Sequence, residues 1–127
     1  MTYWNEKIET MPKEDLKAMQ LELLKELVKN TYRDSKFYRE RMDAAGVKPE
    51  DIKTLDDIRK LPFMKKTDLR DNYPDKLFVR PYDDLVRIHV SSGTTGKPTV
   101  VGYTRNGLDK WAGALDRGMV SFGMSKS

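Results

Sequence analysis

Residues Ser91, Ser92, Gly93, Thr94, Thr95, Gly96 and Lys97 bring four hydroxyls, two glycines and one lysine into a single short window, continued by Pro98 and Thr99. That set is suited to holding oxyanions. Glycine lets successive backbone N–H groups turn toward an anion with no Cβ in the way. The hydroxyls add donors that can follow a shifting phosphate oxygen, and the lysine adds a mobile point charge. The spacing is not that of a Walker A loop, G-x-x-x-x-G-K-[ST], whose glycines stand further apart and whose lysine leads into a helix. Here Gly93 and Gly96 are three apart, and Pro98 takes the Ser/Thr position that would hold magnesium. Proline also removes an N–H and biases Lys97 away from helix. The stretch therefore predicts a phosphate-gripping loop that leads into a strand, and it argues against a kinase or GTPase of the Walker A type.

Strands on both sides must carry such a loop. In LVRIHVSSG, Val86, Ile88 and Val90 alternate with Arg87 and His89, which is strand spacing with an apolar and a polar face. TVVGYT resumes with strand-forming residues after the loop, so the simplest arrangement is a hairpin. Thr104 is placed to cap a final helix whose buried stripe would be Leu108, Trp111, Ala112, Leu115 and Met119. On this spacing Trp111 reads as core and not as an aromatic clamp on a ligand. His89 reads as a structural histidine outside the chemistry.

Upstream the pattern is helical. Residues 12–29 open on proline and set Leu16, Met19, Leu23, Leu24, Leu27 and Val28 on one stripe, with Glu22, Lys25 and Glu26 facing water. Ser35 caps a second helix, with Phe37, Tyr38 and Met42 inward and Gly46 as its end. Two short helices follow in TLDDIRKLP and KTDLRDNYP, each with a threonine near its start, acidic residues behind it and a proline stop. The expected class is α/β, a helical N-terminal region at residues 1–80 followed at 81–127 by the start of a sheet domain. Two strands make too small a sheet to stand alone, so the chain reads as the N-terminal part of a larger α/β protein.

Composition bounds the chemistry. The 127 residues contain no cysteine and a single histidine, which removes disulfides, thiolate sites and histidine clusters, and no metal-binding residue is assigned. Residues 1–60 balance 13 basic against 13 acidic side chains, while residues 61–127 carry 11 against 7, so the excess of +4 lies in the half with the loop. A surplus of that size suits an anionic small molecule. A nucleic-acid partner would call for clustered basic faces with interleaved aromatics, and a membrane partner for a long apolar run or a basic amphipathic helix. Neither pattern is seen, nor is a secretory signal, and the location read from this is cytoplasmic.

Beyond these readings, SSGTTGKPT between strands resembles the phosphate-binding loop of the adenylate-forming superfamily of acyl-CoA synthetases, luciferases and peptide-synthetase adenylation domains. Within it, YWNEKIETMP, FYRERMDAAGVKPEDI, LPFMKKTDLRDNYP, VRIHVSSGTTGKPTVVGYTRN and the tryptophan of LDKW are similar to the N-terminal region of phenylacetate-CoA ligases, so the likeness covers nearly the whole chain. The resemblance implies an AMP-binding domain beginning at residue 81, a ligase of phenylacetate catabolism, and ATP, Mg²⁺ and coenzyme A as its small-molecule company. It implies two half-reactions: an aryl-acetate carboxylate attacks the α-phosphorus of ATP and expels pyrophosphate, and the thiol of coenzyme A then displaces AMP. The seven residues from Ser91 to Lys97 would cover the β- and γ-phosphates. Lys66, the lysine of the F-x-x-K-x-D-L-R pattern, would approach the ATP phosphates, with Lys65 standing where many relatives have a small polar residue. A homodimer is consistent with the family. The alternative is a stand-alone nucleotide-binding or helical interaction module without turnover.

Overall fold

The computed structural model describes residues 3–72, 75–91 and 98–125. Helix α1 (Glu6–Glu9) is a single turn closed by Asn5, whose side-chain oxygen accepts from the Ile8 N–H while its own N–H donates to Glu9. Helix α2 (Lys13–Asp34) starts behind Pro12 and runs five residues beyond the sequence expectation. Asn30 and Thr31 are weak helix formers, but Tyr32 packs against the core, and tertiary burial overrides propensity there.

Ser35 ends α2 and begins α3 (Lys36–Ala44) with no loop between them. Its N–H donates to the Thr31 carbonyl, and its hydroxyl accepts from the Tyr38 N–H at 3.5 Å. A residue doing both is buried, at 2% exposure. Gly46 stops α3 at φ 67°, in the left-handed region, and Val47 N–H then reaches back to the Met42 carbonyl at 2.9 Å.

The core sits in this helical region. Val28, Met42, Val47 and Ile52 are buried together, with Leu24, Tyr32 and Leu61 packed against them. Each of these four buried side chains contributes about 1.5–3 kcal/mol of hydrophobic stabilisation. The expected stripe of α2 is only partly realised, because Leu23 and Leu27 remain 50% and 63% exposed. Helix α3 and the 3-10 turns at Pro49–Asp51 and Leu55–Lys60 cover one flank of the stripe and leave the other open.

The two short predicted helices differ in kind. TLDDIRKLP forms the 3-10 turn at Leu55–Lys60, pinned by Asp57, which accepts from the N–H groups of Lys53 and Thr54. KTDLRD forms α4 (Lys66–Asp71), pinned by Asp68, which accepts from the Lys65 N–H at 2.6 Å. The threonine-led cap holds for the first, while in the second Thr67 already lies inside the helix.

Strands β1 (Leu85–Ser91) and β2 (Thr99–Thr104) pair antiparallel, as the sequence predicts, in a register running from Leu85 opposite Thr104 to Ser91 opposite Thr99. A bulge lies between Leu85 and Arg87. Helix α5 (Arg105–Ser121) begins immediately after β2, and the Thr104 hydroxyl accepts from the Gly107 N–H at 3.1 Å as expected. Two expectations fail here. His89, assigned to the polar face, is half-buried, whereas Val86, Ile88 and Val90 are about half exposed. Trp111, Leu115 and Met119 are likewise 51%, 57% and 41% exposed, so the α5 stripe is not a buried one. No described helix is long and apolar enough to cross a membrane.

Candidate functional site

Ser91 and Thr99 form the last pair of the ladder, so the SSGTTGKPT stretch joins the ends of β1 and β2. Ser92, Gly93, Thr94, Thr95, Gly96 and Lys97 lie outside the described residues. Ser91 itself is exposed at the strand end, and Pro98 and Thr99 are half-buried where β2 starts.

The two faces of the hairpin are built differently. On one, His89 packs against Tyr103 with ring centroids 4.8 Å apart, and Trp111 of α5 stands 6.0 Å from each of them. This aromatic trio explains why His89 is covered: α5 follows β2 without a linker and folds back on the face that carries Tyr103. Alternation alone could not have found it, because the covering helix is supplied by the next element in the chain.

On the other face, Gly102 lets Leu85 and Phe78 approach. A Cβ at residue 102 would meet Leu85 Cδ1 at 2.7 Å and Phe78 Cε2 at 3.2 Å. Beside them opens a cavity of about 360 Å³ lined by Tyr38, Leu69, Leu77, Phe78, Leu85, Val100 and neighbours. Leu69 belongs to α4, and α4 lies against β2. The helix that opens with Lys66 is therefore docked on the hairpin that carries the loop, and Lys66 itself is exposed at its start.

The segment leading into Lys66 is gripped by α3. Arg41 donates to the Phe63 carbonyl at 2.7 Å and to Asp68 Oδ1 at 2.8 Å, with its guanidinium 4.6 Å above the Phe37 ring. The Tyr38 hydroxyl donates to Met64 Sδ at 3.0 Å, and burial, ahead of the neighbouring charges, pushes that phenol's pKa up. Neither Arg41 nor Tyr38 was singled out for function in the sequence, where both read as ordinary helix positions. Further along α4, the Arg70 Nε is buried without a hydrogen-bond partner. No group of three or more His, Cys, Asp or Glu side chains is placed to hold a metal among the described residues.

No family model matches the chain. Individual proteins do. The phenylacetate-coenzyme A ligase of Escherichia coli strain K12 is 50% identical over 93% of the chain, which spans 27% of that protein. The phenylacetate-coenzyme A ligase of Thermus thermophilus is 50% identical over 91% of the chain, spanning 26% of it. Among solved structures, 2-hydroxyisobutyryl-CoA ligase in complex with 2-HIB-AMP and CoA in its thioesterification state superposes with a TM-score of 0.82 at 32% identity, covering 92% of this chain and 26% of that one. Its open conformation gives 0.85 at 29% identity, covering 98% and 30%. The chain thus spans about a quarter of the length of the ligases it matches, and it has the fold of the corresponding part of a CoA ligase: a helical region followed by the start of a sheet.

Proposed function

We propose, from the premise that this chain is a phenylacetate-coenzyme A ligase relative over about a quarter of such a ligase's length, that it is the N-terminal part of an ATP-dependent aryl-acetate CoA ligase. The half-identity across nearly the entire chain is the observation that carries the reading. In it, residues 1–80 are a helical lead-in and residues 81–127 begin the AMP-binding domain. In this reading the enzyme belongs to phenylacetate catabolism in the cytoplasm, and a homodimer is consistent with it.

In this reading Ser91, Ser92, Gly93, Thr94, Thr95, Gly96 and Lys97 hold the β- and γ-phosphates of ATP. Hydroxyl and backbone donors there meet charge that grows as pyrophosphate leaves, which is electrostatic stabilisation and needs no nucleophile from the protein. Magnesium enters on the triphosphate, whose oxygens are the hard ligands it prefers. Lys66 approaches the same phosphates from α4, which the docking of α4 on β2 supports. Coenzyme A is the second substrate, and the 127 residues alone do not turn over.

The test is pyrophosphate–ATP exchange by a full-length ligase carrying these residues. Label should pass from pyrophosphate into ATP only when an aryl-acetate is present. Exchange that ignores the acid, or transfer of the γ-phosphate to a hydroxyl acceptor, would sink the reading.

A further inference from the structure

We infer that Arg41 is a positioning residue for Lys66, a role that rests on the phosphate-facing reading of that lysine. The two apolar residues shortly before Lys66, Phe63 and Met64, are not held in place by burial. Phe63 is 92% exposed and Met64 41%. What fixes them is polar and comes from α3.

One guanidinium spans both flanks of the lysine. Arg41 Nη1 donates to the carbonyl of Phe63, three residues before Lys66, and Nη2 donates to Asp68 Oδ1, two residues after it. Asp68 uses its other oxygen to accept from the Lys65 N–H at 2.6 Å, so the same carboxylate joins the arginine to the first turn of α4. The Asp68 side chain is only 13% exposed, which shields the pair from water. A planar fork presents separate nitrogens in fixed directions to its two acceptors, a geometry the single ammonium nitrogen of a lysine does not reproduce. Arg41 is itself held, stacked on Phe37 and followed by Met42, which is 3% exposed in the core. Core packing is thereby passed through Arg41 to the backbone that presents Lys66.

A plain structural staple would show the same contacts, so the experiment must separate the two. In a full-length ligase carrying this chain, pyrophosphate–ATP exchange and the transfer of phenylacetyl from preformed adenylate to coenzyme A are measured for Lys66→Ala, Arg41→Ala, Arg41→Lys and the Arg41→Ala/Lys66→Ala double variant. Lys66→Ala and Arg41→Ala should each slow exchange, the latter on the order of tenfold, because small misplacements of a catalytic group have effects of that size. Arg41→Lys should not rescue it, and transfer to coenzyme A should stay near its starting rate. In the double variant Arg41→Ala should add almost nothing to the loss from Lys66→Ala, since residues acting through one another are not additive.

Multiplicative losses in the double variant, or equal losses in both half-reactions for Arg41→Ala alone, would overturn the inference and leave the assignment of Lys66 standing. An unaffected Lys66→Ala would remove that assignment and the inference with it. Should Arg41→Ala fail to fold, Asp68→Asn, which removes the charge and leaves one oxygen where two acceptors stood, weakens the same link and is judged by the same criteria.

Discussion

The imidazole of His89 and the phenol of Tyr103 pack at 4.8 Å between centroids and 55° between planes, one ring from each strand of the hairpin. Tyr103 also stands 6.0 Å from Trp111, so it takes part in two of the trio's three contacts. Tyr103→Ala should cost about 1–3 kcal/mol, two aromatic pairs' worth, in urea denaturation. In a Trp4→Phe background the emission of Trp111 should move to the red as its neighbour is lost. An unchanged midpoint and spectrum would contradict the packing.

Two glycines should respond differently to alanine. Gly46 has φ 67° and nothing within 4 Å of a Cβ, so Gly46→Ala meets only the conformational penalty, about 1–2 kcal/mol. Gly102 meets Leu85 Cδ1 at 2.7 Å and Phe78 at 3.2 Å, and there the penalty is steric. Shortening the neighbour in Gly102→Ala/Leu85→Ala should recover part of the loss from Gly102→Ala. No comparable partner exists for Gly46 among the described residues, and thermal melts of the three variants would show the contrast.

Asp57 has its pKa lowered below the ordinary 3.8, first by the hydrogen bond from Lys60 and then by the N–H groups of Lys53 and Thr54. A carboxyl depressed on folding stabilises above its unfolded pKa, and that contribution is lost as pH falls below about 4. Asp57→Asn should therefore be less stable than the parent at pH 7 and approach it as the pH is taken toward 2. A stability difference that is flat across that window would rule out this linkage.

Much of this layout was legible in the sequence. Ser35 and Gly46 marked the ends of α3 because capping and left-handed backbone are local properties, read from residue type alone. The α2 stripe and the hairpin were also visible from their periods. Which side of each period is covered was not. Leu27 lies on the same stripe as Val28 but only Val28 is buried, and on α5 the buried residue is Val120, outside the expected stripe, since burial depends on which neighbour the chain brings across. For the candidate site, the phosphate-loop composition was plain, while the grip of Arg41 on residues 63–68 crosses 27 positions in sequence to Asp68 and has no periodic signature.

Loop substitutions should divide the two half-reactions. In a full-length ligase, Thr94→Ala or Lys97→Ala should slow adenylation by about tenfold or more, on the order of 1.4 kcal/mol, and leave transfer from preformed adenylate to coenzyme A largely intact. Equal loss in both steps would count against a role at the departing pyrophosphate.

The isolated 127 residues should self-associate. Phe63 and Phe122 are 92% and 90% exposed, and α5 presents Trp111, Leu115 and Met119 together. Sedimentation should show mass rising with concentration, and Leu115→Lys with Met119→Lys should suppress it by breaking the apolar face. A monodisperse parent at every concentration would remove the basis for this expectation.

Because Thr104 is at once the last residue of β2 and the cap of α5, strand and helix meet without slack. One residue inserted at that joint would spin the helix by about 100° and carry the indole off the imidazole and the phenol. Strand and helix behave as a crankshaft with a keyed coupling, in which the angular phase of α5 is set by the direct joint at a single residue.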